Sequence, residues 1–271
     1  MIQSLQRGIR RRVKHWSDWM TSPDYRYRFR ETGRLDSMPR YTQGTTQLFG
    51  HTIEFIDACT YLAMVDELFE RGVYQFTAKT ERPLIIDGGA NIGLSVLFFK
   101  RLYPDSRIIA FEADPAIFPV LQRNCGACAL QNVQLVNKAL WISDTTLPFR
   151  QEGSLAGRID TNVAAQTVSI PTCRLSEFLN EPVDLLKLDI EGAETEVLKE
   201  CADRLGNVTN LFVEHHSFQH QPQNLHVLID LLHTAGFRLF VEPATAASQP
   251  LVARKIICGM DVQLNIFGFR E

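Results

Sequence analysis

The apolar run Leu84-Ile85-Ile86 feeds directly into Asp87-Gly88-Gly89-Ala90-Asn91-Ile92-Gly93, and a helical stretch follows as far as Tyr103, stopped by Pro104. A strand that breaks into a glycine-rich turn and reopens as a helix is the first half of a βαβ unit. It commits the chain to a parallel sheet flanked by helices. Glycines at such a turn let the backbone reverse tightly and approach a ligand without Cβ clashes. The pattern departs from the dinucleotide fingerprint, which would want Gly at 88, 90 and 93, because position 90 is Ala. Asp87, just before the turn, would repel a pyrophosphate but suits a ligand that carries an ammonium group and no phosphate. Both features disfavour an NAD-dependent oxidoreductase.

The alternation continues to the end of the chain. Strands are expected at Arg107–Glu112, Val133–Val136, Val183–Asp189, Leu211–Glu214, Phe237–Val241 and within Ile256–Phe269. Helices are expected from Pro115 to about Leu130, from Ala193 to Leu205 with a stop at Gly206, and from Leu225 to Leu232. With Leu84–Asp87 this makes an α/β chain: an open, twisted, mostly parallel sheet of seven strands with helices on both faces. Residues 143–170 are polar and irregular. Their short apolar pieces suggest a hairpin excursion, which could cross the site as a lid or an acceptor-selecting wall.

Residues 1–80 read as an N-terminal helical extension and residues 81–271 as the α/β domain. Ile2, Leu5, Ile9, Val13, Trp16 and Met20 recur at spacings of three and four, one face of a helix. Residues 1–30 hold eight basic and two acidic side chains, although the whole 271-residue chain carries a net charge of −3. A basic arm on an acidic body does not describe a general nucleic-acid binder. The first helix could make peripheral contact with an anionic membrane. An apolar stripe is far commoner as a packing surface, on its own body or in a homodimer. Tyr25-Arg26-Tyr27-Arg28-Phe29-Arg30 alternates aromatic with basic residues, as a phosphate-binding surface, an edge strand or an exposed turn would. Residues 57–71 read as a further helix ending at Gly72. There is no apolar stretch of membrane-spanning length and no secretory pattern at the N-terminus, so a cytoplasmic protein is expected, peripheral at most at the inner membrane surface. The six cysteines are dispersed, and Cys125 and Cys128 lack partners for a zinc site, which makes them packing residues. The Asn207-Val208-Thr209 sequon carries no weight without secretion.

Three further motifs bear chemistry. Glu112, at the end of the second strand, lies 19 residues beyond Gly93, where a carboxylate can accept both ribose hydroxyls of an adenosine. Leu188-Asp189-Ile190-Glu191-Gly192-Ala193-Glu194 crowds three carboxylates at a strand end and helix start. Glu191 and Glu194 suit a helix N-terminus, but Asp189 ends an apolar strand, where an unpaired charge is costly. In Phe212-Val213-Glu214-His215-His216, Glu214 and His216 share one side of an extended segment and His215 the other. An imidazole beside a carboxylate there can serve as general base and orienter. With Asp189 the pair could also hold a divalent metal, a requirement the residues alone leave undecided.

Together these motifs resemble the FkbM family of S-adenosylmethionine-dependent methyltransferases over about residues 50–242. The opening motif is met by Asp87-Gly88-Gly89-Ala90-Asn91-Ile92-Gly93, the acidic ribose position by Glu112, and the Asp-x-Glu-Gly-x-Glu signature by Asp189, Glu191, Gly192 and Glu194. The Glu-x-His at the next strand end is met by Glu214 and His216. The resemblance implies a class I methyltransferase (Rossmann-like) fold. It also implies a site for S-adenosylmethionine, leaving as S-adenosylhomocysteine, built from Asp87, Gly88, Gly89, Asn91, Gly93 and Glu112. Backbone near Asn137 and Ala139 would flank the adenine. The implied activity is O-methylation of a hydroxyl on a sugar in a glycan, glycolipid or glycosylated metabolite. Asp189 or His216 would be the base, with Glu191 and Glu214 as orienters or as acceptors of substrate hydroxyls. The rival readings are O-methylation of a non-sugar, polyketide-type natural product, and a non-catalytic nucleoside-binding assembly partner.

Overall fold

A computed structural model of the protein describes residues 23–151, 157–159, 167–244, 249, 251–253 and 256–270. The amphipathic segment 2–20 lies outside these residues. The first element, α1 (Pro23–Asp36), contains the Tyr25–Arg30 run, which is therefore helical rather than a strand or turn. Proline at its start, where the missing N–H costs nothing, favours that outcome over the alternation. A hairpin follows, β1 (Gly44–Leu48) and β2 (His51–Phe55), which a purely helical extension did not anticipate. Next comes α2 (Ala58–Val65), capped by Asp57, whose carboxylate accepts from the Thr60 N–H. It runs into a π-helical turn, Asp66–Glu70.

The central sheet begins with β3 (Leu84–Gly88), α3 (Leu94–Leu102), β4 (Arg107–Phe111), α4 (Phe118–Ala127) and β5 (Val133–Val136). An excursion of four short strands follows: β6 (Ala139–Trp141), β7 (Thr146–Arg150), β8 (Arg158–Ile159) and β9 (Thr167–Arg174). The chain then re-enters the central sheet through β10 (Val183–Leu188), α5 (Glu194–Glu200), β11 (Val208–Phe218), α6 (Leu225–Thr234), β12 (Arg238–Pro243) and β13 (Met260–Phe269). The expected helix through Leu205 ends at Glu200 and gives way to 3-10 turns over Ala202–Asn207. The strand order is β12-β13-β11-β10-β3-β4-β5, parallel from β11 through β5, with β13 antiparallel to both its neighbours.

Successive residues on the buried strands face opposite layers. Ile85 and Leu185 join one core, with the residues of α3 and α4. Leu84, Ile86, Leu186 and Leu188 join the other, with those of α5 and α6. The first core also holds Leu35, Ile53, Phe55, Tyr61 and Leu68, so the segment before residue 80 packs as a layer on the sheet. Cys125 is buried in this layer as a free thiol, and burial raises its pKa to about 12.

Asn124 stitches the hairpin to the glycine turn. Its side-chain amide donates to the carbonyls of Glu54 (2.9 Å) and Ile92 (2.8 Å), and its oxygen accepts from the Glu54 N–H at 2.8 Å. Asn124→Ala leaves three buried or half-buried backbone groups without these partners. A loss of about 2 kcal/mol is expected in urea unfolding. A change below about 0.5 kcal/mol would mean that water replaces the amide. Among the described residues, no helix is long and apolar enough to cross a membrane.

Candidate active site

The order in which successive strands are added reverses between the parallel neighbours β3 and β10: β4 and β5 lie on one side, β11 and β13 on the other. In an open parallel sheet the strand ends splay at such a point and leave a crevice. A cavity of about 420 Å³ opens here, within the range of small-molecule sites.

The floor is the turn after β3. Gly89 (φ 87°) and Gly93 (φ 92°) take left-handed backbone, and Asn91 joins them at φ 48°. A Cβ on Gly89 would stand 1.9 Å from the Asp189 carbonyl oxygen, so only glycine fits between the two strand ends. The Asp189 N–H donates to the Gly88 carbonyl at 3.0 Å and locks the ends together.

Asp87 does not face the cavity as the sequence suggested. It is fully buried, opposite Lys187 in the β3–β10 register. One carboxylate oxygen accepts from Ser95 Oγ at 2.6 Å, and the other lies 3.2 Å from Lys187 Nζ. Lys187, also buried, donates to the Gly89 carbonyl at 2.7 Å and sits 3.6 Å from Asp189. Burial alone would depress its pKa, but Asp87 and Asp189 outweigh burial and hold it above the ordinary lysine value. The carboxylate before the turn thus organises the turn through a lysine.

Glu112 lies at the cavity wall. Its two oxygens accept from the N–H groups of Asn91 (2.9 Å) and Asp114 (2.7 Å). Burial raises its pKa to about 7 despite those donors. Asn137 donates to the Glu112 carbonyl at 2.8 Å and braces the strand end; Lys138, Ala139 and Leu140 are the wall residues beside it. Phe111, Ala113, Ile117, Phe149 and Gly157 complete an apolar slot, the last two contributed by the excursion between β6 and β9.

The opposite end is acidic. Asp189, Glu191 and Glu214 line it, together with Glu67 from the π-helical turn. His216 Nε2 stands 3.7 Å from Glu214 Oε1, 3.7 Å from Glu191 Oε2 and 3.9 Å from Asp189 Oδ1. Its Nδ1 lies 3.0 Å from Glu194 Oε1, and Glu194 also accepts from the N–H groups of Ile190 and Gly192. The structure therefore gathers all four residues expected to be catalytic. Glu191 holds φ 56°, an uncommon backbone state for a glutamate and a form of strain that clusters at functional sites. Burial would lower the His216 pKa, but the surrounding carboxylates raise it well above the ordinary histidine value. Burial, reinforced by Asp189, pushes Glu214 up to about 8.

Sequence reasoning missed Lys187, Glu67, Gln263 and Asn265. Lys187 carried a signal, as the one charge inside the run Leu185–Leu188. Gln263 and Asn265 carried none. They lie opposite His216 and Glu214 in the β11–β13 register, and Gln263 donates to Glu214.

A parallel sheet in this order, with an antiparallel strand inserted beside its edge and a glycine turn facing an acidic strand end, is the class I methyltransferase fold. A family model described as the methyltransferase FkbM domain matches residues 87–239, and the chain belongs to that family. Relatives include methyltransferase sdnD of Sordaria araneosa, 34% identical over 171 residues, covering 49% of this chain and 66% of that protein. Methyltransferase 1 of Beauveria bassiana is 31% identical over 175 residues, covering 55% and 70%. The 31-O-demethyl-FK506 methyltransferase FkbM of Streptomyces tacrolimicus is 26% identical over 191 residues, covering 57% and 74%.

Proposed function

We propose that the protein is an S-adenosylmethionine-dependent O-methyltransferase acting on a hydroxyl of a sugar or glycosylated metabolite. The carrying observation is a single cavity with a nucleoside-type end, Gly89 and Glu112 beside an apolar slot, and an acceptor-type end of clustered carboxylates.

The donor set fits S-adenosylmethionine. Glu112 offers its remaining lone pairs to ribose hydroxyls, and the slot between Ile117 and Leu140 suits a purine. Bound there, S-adenosylmethionine would supply an activated methyl group, a C–O bond to the acceptor forming as the C–S bond breaks. The protein's own task is to orient a hydroxyl and receive its proton. Asp189 and Glu191 lie at the wall and can take it. His216, with Nε2 3.7–3.9 Å from Asp189, Glu191 and Glu214, stands behind them as the other candidate base.

The acceptor end supports a polyhydroxylated ligand, because Glu67, Glu214, Gln263 and Asn265 add hydrogen-bonding groups to the pair at the wall. A specific observation favours a second reading. Met64, Leu68, Tyr74, Ile257 and Met260 give the same end an apolar flank, suited to a hydroxyl on a polyketide-type scaffold. The relative named for 31-O-demethyl-FK506 adds weight to that reading.

Calorimetric titration with S-adenosylhomocysteine is expected to show one site per chain, weakened about tenfold in Glu112→Gln, since a hydrogen bond to a charged group contributes about 1.5–3 kcal/mol. Incubation with S-adenosylmethionine and a panel of sugars and hydroxylated scaffolds should add one methylene to the true acceptor. No binding to the wild type would overturn the methyltransferase reading and favour an assembly role.

A further inference from the structure

Glu191, Asp189 and Glu214 each hold an oxygen 3.7–3.9 Å from His216 Nε2. These separations are too long for hydrogen bonds. They match the spacing of atoms that share one ion, since ligands about 2.1 Å from a common cation stand roughly 3–4 Å apart. The ligand atoms of Asp189, Glu214 and His216 all lie within 4.8 Å of one another.

Two further features point to an ion. His216 Nδ1 faces Glu194, itself anchored by backbone N–H groups, and Nε2 faces the three carboxylates with the Gln263 amide nitrogen 3.5 Å away. A carboxylate that holds one ring nitrogen and turns the other toward the ligand set is the arrangement that orients a metal-binding imidazole. Independently, Asn265 is only 2% exposed, yet its Oδ1 has no hydrogen-bond partner. Asn265 lines the same cavity and lies directly across from Glu214, so the two side chains share a face of the strand pair. A buried amide carbonyl is costly without a partner, and a hard cation is one.

We propose that Asp189, Glu214 and His216, with the Asn265 carbonyl beside them, form a divalent-cation site at the acceptor end of the cavity. Three oxygens and one imidazole suit Mg²⁺ or Mn²⁺. The inference rests on the methyltransferase reading only for its role there, which is to hold the acceptor hydroxyl and make it more acidic. With Asp189 engaged, Glu191 is the carboxylate that receives the hydroxyl proton.

The test is titration of Mn²⁺ alone into the full chain, following the loss of the free-ion signal by electron paramagnetic resonance. The expected result is one Mn²⁺ per chain, displaced by Mg²⁺, with a ¹⁴N coupling from an imidazole. Glu214→Gln and His216→Gln should weaken binding at least tenfold, and Glu194→Gln by about 10–100-fold as the residue that orients His216. Circular dichroism checks that each variant is folded, and the wild-type nitrogen coupling stands even if none is. Failure of the wild type to bind Mn²⁺, absence of the coupling, or equal binding by folded variants overturns the site. S-adenosylhomocysteine titrated into the same samples separates the two readings. Nucleoside binding without Mn²⁺ binding overturns the cation site alone, and so does tighter binding of the sulfonium than of the thioether in a protein that ignores Mn²⁺.

Discussion

Replacing Lys187 with methionine is expected to lower stability by about 3–5 kcal/mol, the cost of leaving a buried charge without its partner. Asp87 has no other cation in contact among the described residues. Its one remaining hydrogen-bond partner there is Ser95 Oγ. The substitution also strips the Gly89 carbonyl of its donor, at the point where the β3 turn meets the end of β10. At roughly 2–4 °C per kcal/mol for a chain of this size, the midpoint of thermal unfolding should fall by about 6–20 °C. Removing both charges should cost less than removing one, because well-packed apolar groups can replace a buried pair. Asp87→Leu combined with Lys187→Met is therefore expected to regain at least half of the loss. A single variant within about 1 kcal/mol of wild type, or a double variant worse than the sum of the singles, would show that Asp87 is not held by Lys187. It would return Asp87 to the ligand-facing role its position before the turn first suggested.

What could be read from the sequence was local. The turn after β3, Glu112 at the end of β4 and the crowded carboxylates after β10 each lie within a few residues of the strand that positions them. Apolar periodicity and glycine spacing therefore placed them. The sequence places the strand carrying this motif at Leu211–Glu214, with His216 on its extended continuation; the observed strand is longer at both ends, from Val208 to Phe218. It runs to Phe218 because β13 pairs with it residue by residue on its far side, a non-local fact. The same pairing brings Gln263 and Asn265 to the site, and nothing within their own segment marks them. Glu67 reaches the cavity through a π-helical turn, a departure from helical geometry that a 3.6-residue pattern does not reveal. Asp87 was misread in orientation for a related reason. The adjacent β10 delivers Lys187 opposite it, and a carboxylate with a buried lysine across the register stays inside.

Three glycines with nearly the same backbone separate conformational strain from steric fit. Gly50, Gly89 and Gly93 have φ of 84°, 87° and 92°, so alanine costs each a similar left-handed penalty of about 1–2 kcal/mol. A Cβ on Gly50 would meet nothing within 4 Å. On Gly93 it would meet Leu121 Cδ1 at 2.7 Å, the far end of a side chain that can turn aside. On Gly89 it would meet the Asp189 carbonyl oxygen at 1.9 Å, and backbone held by β10 cannot turn aside. Gly89→Ala is thus expected to lose more than 3 kcal/mol, with Gly50→Ala near the bare penalty and Gly93→Ala between them. The function should follow the same order. Opening the β3–β10 junction moves Asp189 and the carbonyl that Lys187 holds, so any folded Gly89→Ala should bind S-adenosylhomocysteine at least tenfold more weakly. Chemical denaturation of the three variants with one titration of each decides it. Equal losses at all three positions would mean that strain alone is being measured and that the two strand ends are free to part.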